Sequence, residues 1–496
     1  MKSKMFKKLM AAVIATTMTA SLAACGNGGE GTDASGSTAS ADNKSTQASS
    51  SDAASSDAST SEDDLGAYTP LKDANGNVYD LGGMEIVIRD WWSPSDGVPA
   101  EPKNAFEEAR AEYREWIQET YNFKICEMAI SDWGSAPQDF VDYVSSGGDS
   151  NNYVFTLRND PALISAMSTG LCYDLSTLDC LDFNSQKHTA NLLHKQFSKN
   201  GKIFAMYAGA SEPRTGVFFN KRLLKEAGID PETIYDMQKN GTWTWDALID
   251  LCDQVQQDTN NDGEIDVYAC NCNNGVMTEA AVYSNGGEFV GQDASGKYIY
   301  KLEDANTLEG LEFAKKLFDN YWEKEPEGAA WDYYKEGFLN GEYVFCFDQA
   351  YCAQETGPFY AMEDDFGFVM FPKGPQAKDY TNCWDNNPAC IPACYDADRA
   401  WKIAFAWNLY TNDVPGYENS DAWKAAYYSC YRDTRSVDET LAMMRTKGMI
   451  TFHGVIPNLA FGPELTWNVG PGSAPISETV GAIADTWKSY INDANK

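Results

Sequence analysis

The sequence predicts an α/β fold built around a parallel sheet and divided into more than one domain. Two patterns and a length point there. From Met84 onward, short apolar runs rich in β-branched residues alternate with segments of helical periodicity, as strands joined by crossover helices do. Turn signals such as Asp90-Trp91-Trp92-Ser93-Pro94 and Gly147-Gly148 separate them. The stretch able to build a core is about 430 residues, enough for two or three domains.

The elements follow in order. Met84 to Ile88 reads as a buried strand. Glu101 to Tyr121 is a helix, with Phe106, Ala109, Tyr113, Trp116 and Ile117 on one stripe. Phe123 to Ile130 is a strand, Pro137 to Val144 a short amphipathic helix, and Asn152 to Leu157 a third strand. Asp160-Pro161 opens another helix with Pro at its first position. Gly201 to Ala208 and Thr215 to Phe219 are further strands. Thr244 is a helix N-cap, Asp246 suits the positive end of the dipole, and Leu248, Leu251, Cys252 and Val255 form the buried stripe. Trp243 and Trp245 beside that stripe read as packing residues. Thr307 to Trp322 is a helix, Tyr343 to Phe347 and Phe366 to Met370 are strands, and Ala397 to Tyr410 is a helix. Helices near Ser436 to Met444 and Ile476 to Tyr490 close the chain.

The N-terminus is a targeting segment, residues 1–25. Lys2, Lys4, Lys7 and Lys8 precede an apolar stretch too short to span a bilayer. It ends in Leu22-Ala23-Ala24-Cys25-Gly26, which resembles a bacterial lipobox. That resemblance implies lipidation of Cys25 and a firm membrane anchor. Residues 26–66 are Ser, Ala and Asp with almost no large apolar side chain, so they read as a disordered tether.

Charge and cysteine usage bound the function. A net charge of −35 argues against nucleic-acid binding and against lying on anionic lipid. Solvated faces that keep an exported protein soluble account for it. Twelve cysteines follow Cys25, an even number in an export context, and Cys172/Cys180, Cys346/Cys352 and the trio Cys383, Cys390, Cys394 are the nearest candidates for pairing. Several sit in apolar runs, where free Cys is a small core residue. No HExxH or G-x-S-x-G occurs, and with 73 acidic residues no particular carboxylate pair stands out as a glycosidase couple.

Two features carry chemistry. Asp258, Asn260, Asp262 and Glu264 around Gly263, with Asp266, match positions 1, 3, 5, 7 and 9 of an EF-hand loop. Position 12 is Ala269 instead of a bidentate Glu, so a structural Ca2+ and a solvated turn are both open readings. Aromatic residues follow several strands, among them Trp91, Trp92, Tyr351 and Trp384. Rings flanked by Asp, Asn and Arg suit a sugar, whose C–H face stacks and whose hydroxyls need donors and acceptors. Gly291 to Lys297 has phosphate-loop spacing, but Tyr298 follows where Ser or Thr is needed, so no nucleotide site is assigned.

The lipobox, the tether, Phe219-Asn220-Lys221, Ala227-Gly228-Ile229, Thr244-Trp245-Asp246 and Arg399-Ala400-Trp401 together resemble the family 1 extracellular solute-binding proteins of carbohydrate ABC importers. The resemblance implies a two-lobed periplasmic-binding-protein-like type II fold with the ligand cleft between the lobes. It places lobe 1 at 68–215 with 371–415, and lobe 2 at 216–370 with 416–496. It implies a binding protein and not an enzyme, anchored on the outer face of the cytoplasmic membrane and monomeric, serving a permease. The acidic loop resembles that of alginate-binding members, which implies ligand roles for Asp258, Asn260, Asp262, Glu264 and Asp266. By position, the ligand contacts are expected at Trp91, Trp92, Arg158, Asp160, Glu212, Arg214, Asp348, Tyr351, Trp384 and Asn386. A peptide or cationic solute would fit the same fold, and a surface glycosidase is a third reading.

Overall fold

The computed structural model describes residues 68–496 apart from 159, 160, 191, 192, 213, 324, 385, 419 and 420. The signal segment with Cys25, the 26–66 tether and Asp160 lie outside the described residues.

The first sheet is made by β1 (Met84–Asp90), β2 (Phe123–Ala129) and β3 (Asn152–Thr156), with α1 (Ala105–Thr120) and α2 (Ala136–Ser145) between them. β1 pairs in parallel with both β2 and β3. Asn104 fixes the start of α1, its side chain accepting from Glu107 N–H. Tyr113 and Ile117 of α1 pack with Ile86 and Ile88 on one face of the sheet. On the other face, Phe140 of α2 meets the Phe155 ring edge-on at 5.1 Å. Helices thus cover both faces, as a parallel sheet requires.

The second sheet starts at β4 (Thr215–Asn220). It is followed by α3 (Lys221–Glu226), α4 (Glu232–Asn240), α5 (Trp245–Val255) and β5 (Tyr268–Cys272). Next come α6 (Asn274–Ser284), α7 (Ala305–Tyr321), α8 (Tyr333–Leu339), β6 (Tyr343–Gln349) and β7 (Phe366–Met370). The strand order is β7-β4-β6-β5. β4 runs antiparallel to both neighbours, and β6 runs parallel to β5. Nearly every residue of β4, β6 and β7 is buried, which explains their continuous apolar runs. Gly367 must be glycine, because a Cβ there would run into the Phe219 ring.

Trp243 and Trp245 pack as the sequence predicts. Trp243 is fully buried and its indole N–H donates to Met370 O at 2.8 Å. Trp245 stacks on Phe313 at 4.0 Å and donates to Ser284 Oγ.

The chain returns to the first sheet through β9 (Ala389–Cys390), antiparallel to β3, and α9 (Ala397–Tyr410). Before that, residues 371–384 stay with the second sheet. Lys373 N–H donates to Trp243 O and Gly374 N–H to Ser284 O. β8 (Asn382–Cys383) pairs with β10 (Gly448–Met449). The return crossing therefore lies after Trp384, later than 371, because hydrogen bonding and not apolar pattern decides which lobe keeps the segment. The C-terminal helix α10 spans Ile476–Ala494. Ser436–Leu441 is wound as a π-helix before Ala442–Met444 continues it.

The twelve cysteines after Cys25 are free thiols, Cys172, Cys180, Cys346 and Cys352 included. Among the described residues no helix is long and apolar enough to cross a membrane.

Candidate functional site

The strand directions define one edge on each sheet. Because β1, β2 and β3 are parallel, their C-terminal ends share an edge, which carries Trp91, Trp92, Trp133 and Arg158. In the second sheet the start of β4 and the ends of β5, β6 and β7 share an edge. Both crossing segments run between these edges. Leu157 N–H donates to Pro388 O, and Met206 and Ala389 exchange backbone hydrogen bonds. The edges also meet through an ion pair: Lys103, on the loop after β1, lies 2.5 Å from Glu355, on the loop after β6. The ends of both sheets thus face the crossings, where α/β folds place ligands.

On the first edge, Trp91 and Trp92 meet edge-to-face at 5.0 Å, and Trp92 is 58% exposed. Asp90, buried beneath them, accepts from Trp92 N–H, Ser93 N–H and Ser93 Oγ, and this fixes the turn that presents the rings. Arg158 stands over the Trp133 ring at 4.1 Å. Exposed tryptophans are informative, since each leaves a large apolar face in water.

On the second edge, Arg214 donates to Gln349 Oε1 at 3.0 Å, while its own carbonyl accepts from Ala350 N–H. Glu212 is exposed beside it. Tyr351 is partly exposed, and its hydroxyl accepts from Lys335 Nζ at 3.4 Å. Lys335 also lies over the Trp331, Tyr334 and Tyr351 rings at 5.4, 5.8 and 5.9 Å. Tyr427 is buried near Glu212, Arg445 and Arg214, and burial pushes its phenol well above its ordinary range. Arg445 lies over Trp423 at 4.5 Å.

Two expected contacts are turned inward. Asp348 is buried, and its carboxylate accepts from Tyr334 Oη at 3.0 Å and from Gln349 N–H at 2.7 Å. Burial raises its pKa. Trp384 is buried against Gly448, and its indole N–H donates to Met444 O. Its ring fills the β8–β10 junction because the segment belongs to the second lobe. Asn386 lies on the crossing and accepts from Ser211 Oγ at 2.7 Å, tying the outgoing crossing to the return.

Trp133, Trp331, Lys335, Gln349, Tyr427 and Arg445 were not among the expected contacts. Trp133 carries the same signal as Trp92, an aromatic just past a strand end. Trp331 and Arg445 carry none, because only packing brings them to this edge.

The acidic loop folds on its own carboxylates. Asp258 accepts from the N–H groups of Asn261, Asp262 and Gly263. Asp266 accepts from Thr259 N–H and Oγ1, bonds that hold its carboxyl below the usual range. Asn261 and Gly263 take left-handed backbone, with φ of 61° and 92°. Among the described residues no three His, Cys, Asp or Glu side chains gather as a metal cluster, this loop and the Cys383, Cys390, Cys394 trio included. The hard oxygens of Asp258, Asn260, Asp262 and Asp266 fit calcium in donor type.

A cavity of about 460 Å³ lies at the opposite end of the second sheet, lined by Lys221, Arg222, Lys225, Glu226, Glu363 and Asp364. It has no aromatic ring, and Arg222 already pairs with Asp364 and Glu226, so it is the weaker candidate.

Comparisons with known proteins bear on this arrangement. The bacterial extracellular solute-binding protein family matches residues 191–407. The cyclic α-maltosyl-1,6-maltose binding protein from Arthrobacter globiformis is similar at 15% identity and a TM-score of 0.59, over 83% of this chain and 100% of that one. An ABC substrate-binding protein from Listeria monocytogenes in complex with cycloalternan gives 13%, 0.57, 83% and 98%. UgpB from Mycobacterium tuberculosis in complex with glycerophosphocholine gives 14%, 0.56, 83% and 99%. At these identities the likeness is one of fold. Among curated proteins none matches in sequence. Residues 191–407 thus match the bacterial extracellular solute-binding protein family, and the body containing them shares the fold of these solved binding proteins.

Proposed function

We propose that this chain captures a sugar or oligosaccharide between its two lobes and delivers it to the permease of an ABC importer. One observation carries the reading: exposed aromatic faces (Trp92 and Trp133 on one sheet edge, Trp331 and Tyr351 on the other) stand where both sheets end at the crossings. Pyranose C–H faces stack on such rings, and Asn386, Glu212 and the Arg214–Gln349 pair offer donors and acceptors to the hydroxyls. Ligand contacts made from both edges favour the closed arrangement by their differential affinity, and that form is what a permease reads. Several relatives of this fold are described in complex with oligosaccharides, which supports the class.

The test is tryptophan fluorescence and calorimetry against a panel of oligosaccharides, peptides and polyamines, with sugar recovered afterwards for chromatography. A saturable sugar response with intact sugar is expected. Response only to peptides or polyamines would overturn the reading, and sugar recovered cleaved would turn it toward a glycosidase.

The reading includes an anchor and an ion. Lipidation at Cys25 and the 26–66 tether would hold a monomeric body at the outer face of the membrane. Asp258, Asn260, Asp262, Glu264 and Asp266 would hold a structural Ca2+ that pins the loop between α5 and β5. Calcium should then raise the melting midpoint and chelator should lower it. An unchanged midpoint removes the ion from the account.

A further inference from the structure

We infer that the sugar this cleft selects is anionic, carrying carboxylate or sulfate groups on its rings. The inference rests on the carbohydrate reading above and narrows it.

The observation is a set of cations with no carboxylate in direct contact, in a protein that has carboxylates to spare. Among the described residues no carboxylate oxygen lies within 4.0 Å of Arg214, Lys335 or Arg445. Elsewhere several of the chain's cations pair closely with carboxylates. Arg435 reaches Glu232, Asp236 and Glu439, Arg222 reaches Asp364 and Glu226, and Lys221 reaches Asp433. The direct contacts of the cleft cations are neutral groups, with Asp348 acting on Lys335 and Glu212 and Asp413 acting on Arg445 from farther off. Arg214 has Gln349, Lys335 has three aromatic rings and a phenol, and Arg445 has the Trp423 ring. Their location is common: Arg214 and Lys335 flank Gln349–Tyr351, and Arg214 and Arg445 flank Tyr427. The nearby carboxylate Asp348 has both oxygens committed inward, to Tyr334 and to Gln349 N–H.

Holding partly desolvated cations without a carboxylate in direct contact costs stability, and a ligand that supplies the charge there recovers it. A neutral sugar would leave them unmatched. An anionic ligand must also approach a chain of net charge −35, which repels it unless the cleft is locally positive. The arrangement disfavours the alternative of a cationic solute on the same ground.

The test titrates the full chain with galacturonate trimer, its methyl ester (neutral, same skeleton) and a sulfated disaccharide. Each titration is run in low and high salt. The acid should bind at least ~10-fold more tightly than its ester, the size of one charge-assisted contact, and the advantage should shrink with salt. Lys335→Gln and Arg214→Gln should each weaken the acid ~10-fold and the ester little, and Arg214→Lys should recover part of the loss. The sulfated arm tells which anionic group is read: preference for it over both trimers keeps the anionic class and moves it from carboxylate to sulfate. Equal or tighter binding of the ester and other neutral sugars overturns the inference while leaving carbohydrate capture standing. Failure of every sugar, charged or neutral, overturns both.

Discussion

The two ends of the second sheet are built from similar residues and behave oppositely. At the outer end, Asn220 is buried, caps α3 by accepting from Arg222 and Leu223 N–H, and donates to Asp364. Arg222 reaches both oxygens of the same Asp364, and Lys221 pairs with Asp433. Both of these cations meet an opposite charge. At the inner end, Arg214, Lys335 and Arg445 meet rings and an amide, and large aromatic faces are left in water. A closed electrostatic network serves stability, and an open one leaves charge available for the ligand proposed above. The difference is a practical guide to which edge binds.

Acid should separate stability from charge at the inner edge, and it is the largest effect expected. His188 is buried and His453 nearly so, and desolvation lowers each pKa from 6.5 to about 4. The folded value lies below the unfolded one, so the unfolded chain takes up protons first. The contribution is intact above about pH 6.5 and falls as pH drops toward 4, on the order of 3 kcal/mol for each histidine. Denaturant melts between pH 7 and 4 should show the slope, while the arginines and Lys335 stay charged. Next, Asn220→Ala should cost ~2–3 kcal/mol in urea unfolding, through the lost cap and the unsatisfied neighbours, and leave ligand affinity unchanged. Trp92→Ala should do the reverse, weakening sugar binding by ~1–2 kcal/mol in calorimetry with little change in the melting midpoint. Smallest is Arg222→Ala at ~0.5–1 kcal/mol of stability, since its side chain is 43% exposed and water screens the pair. A loss of affinity in Asn220→Ala, or of stability in Trp92→Ala, would break the contrast between the two ends.

Much of the frame could be read in advance because local rules agreed with the fold. Phe366–Met370 and Ala397–Tyr410 take the bounds their sequences predict, one a buried apolar run and the other a helix capped by Asp396. α6 escaped notice because it is buried nearly all round from Met277 to Ser284, Glu279 excepted, and has no polar face to make a period. The strand expected from Gly201 to Ala208 shrinks to Lys202–Ile203 and a single bridge at Met206, since a crossing segment has few strand partners. At the site, Trp92 and Tyr351 were legible as rings past strand ends, and Trp384 looked the same. What separates them is whether another segment covers the ring, and β10 covers Trp384.

The sequence by itself determined the alternation of strands and helices, the capped starts of α5 and α9, and the residues in the core stripes. Each depends on neighbours a few positions apart. The tertiary structure alone decided that residues 371–384 remain with the second lobe and that Asp348 turns inward. It also decided that Arg214, Lys335 and Arg445 converge with no carboxylate oxygen in direct contact. Those outcomes depend on partners up to some 230 positions away, and pairing at that range is settled by burial and hydrogen-bond satisfaction, not by local pattern.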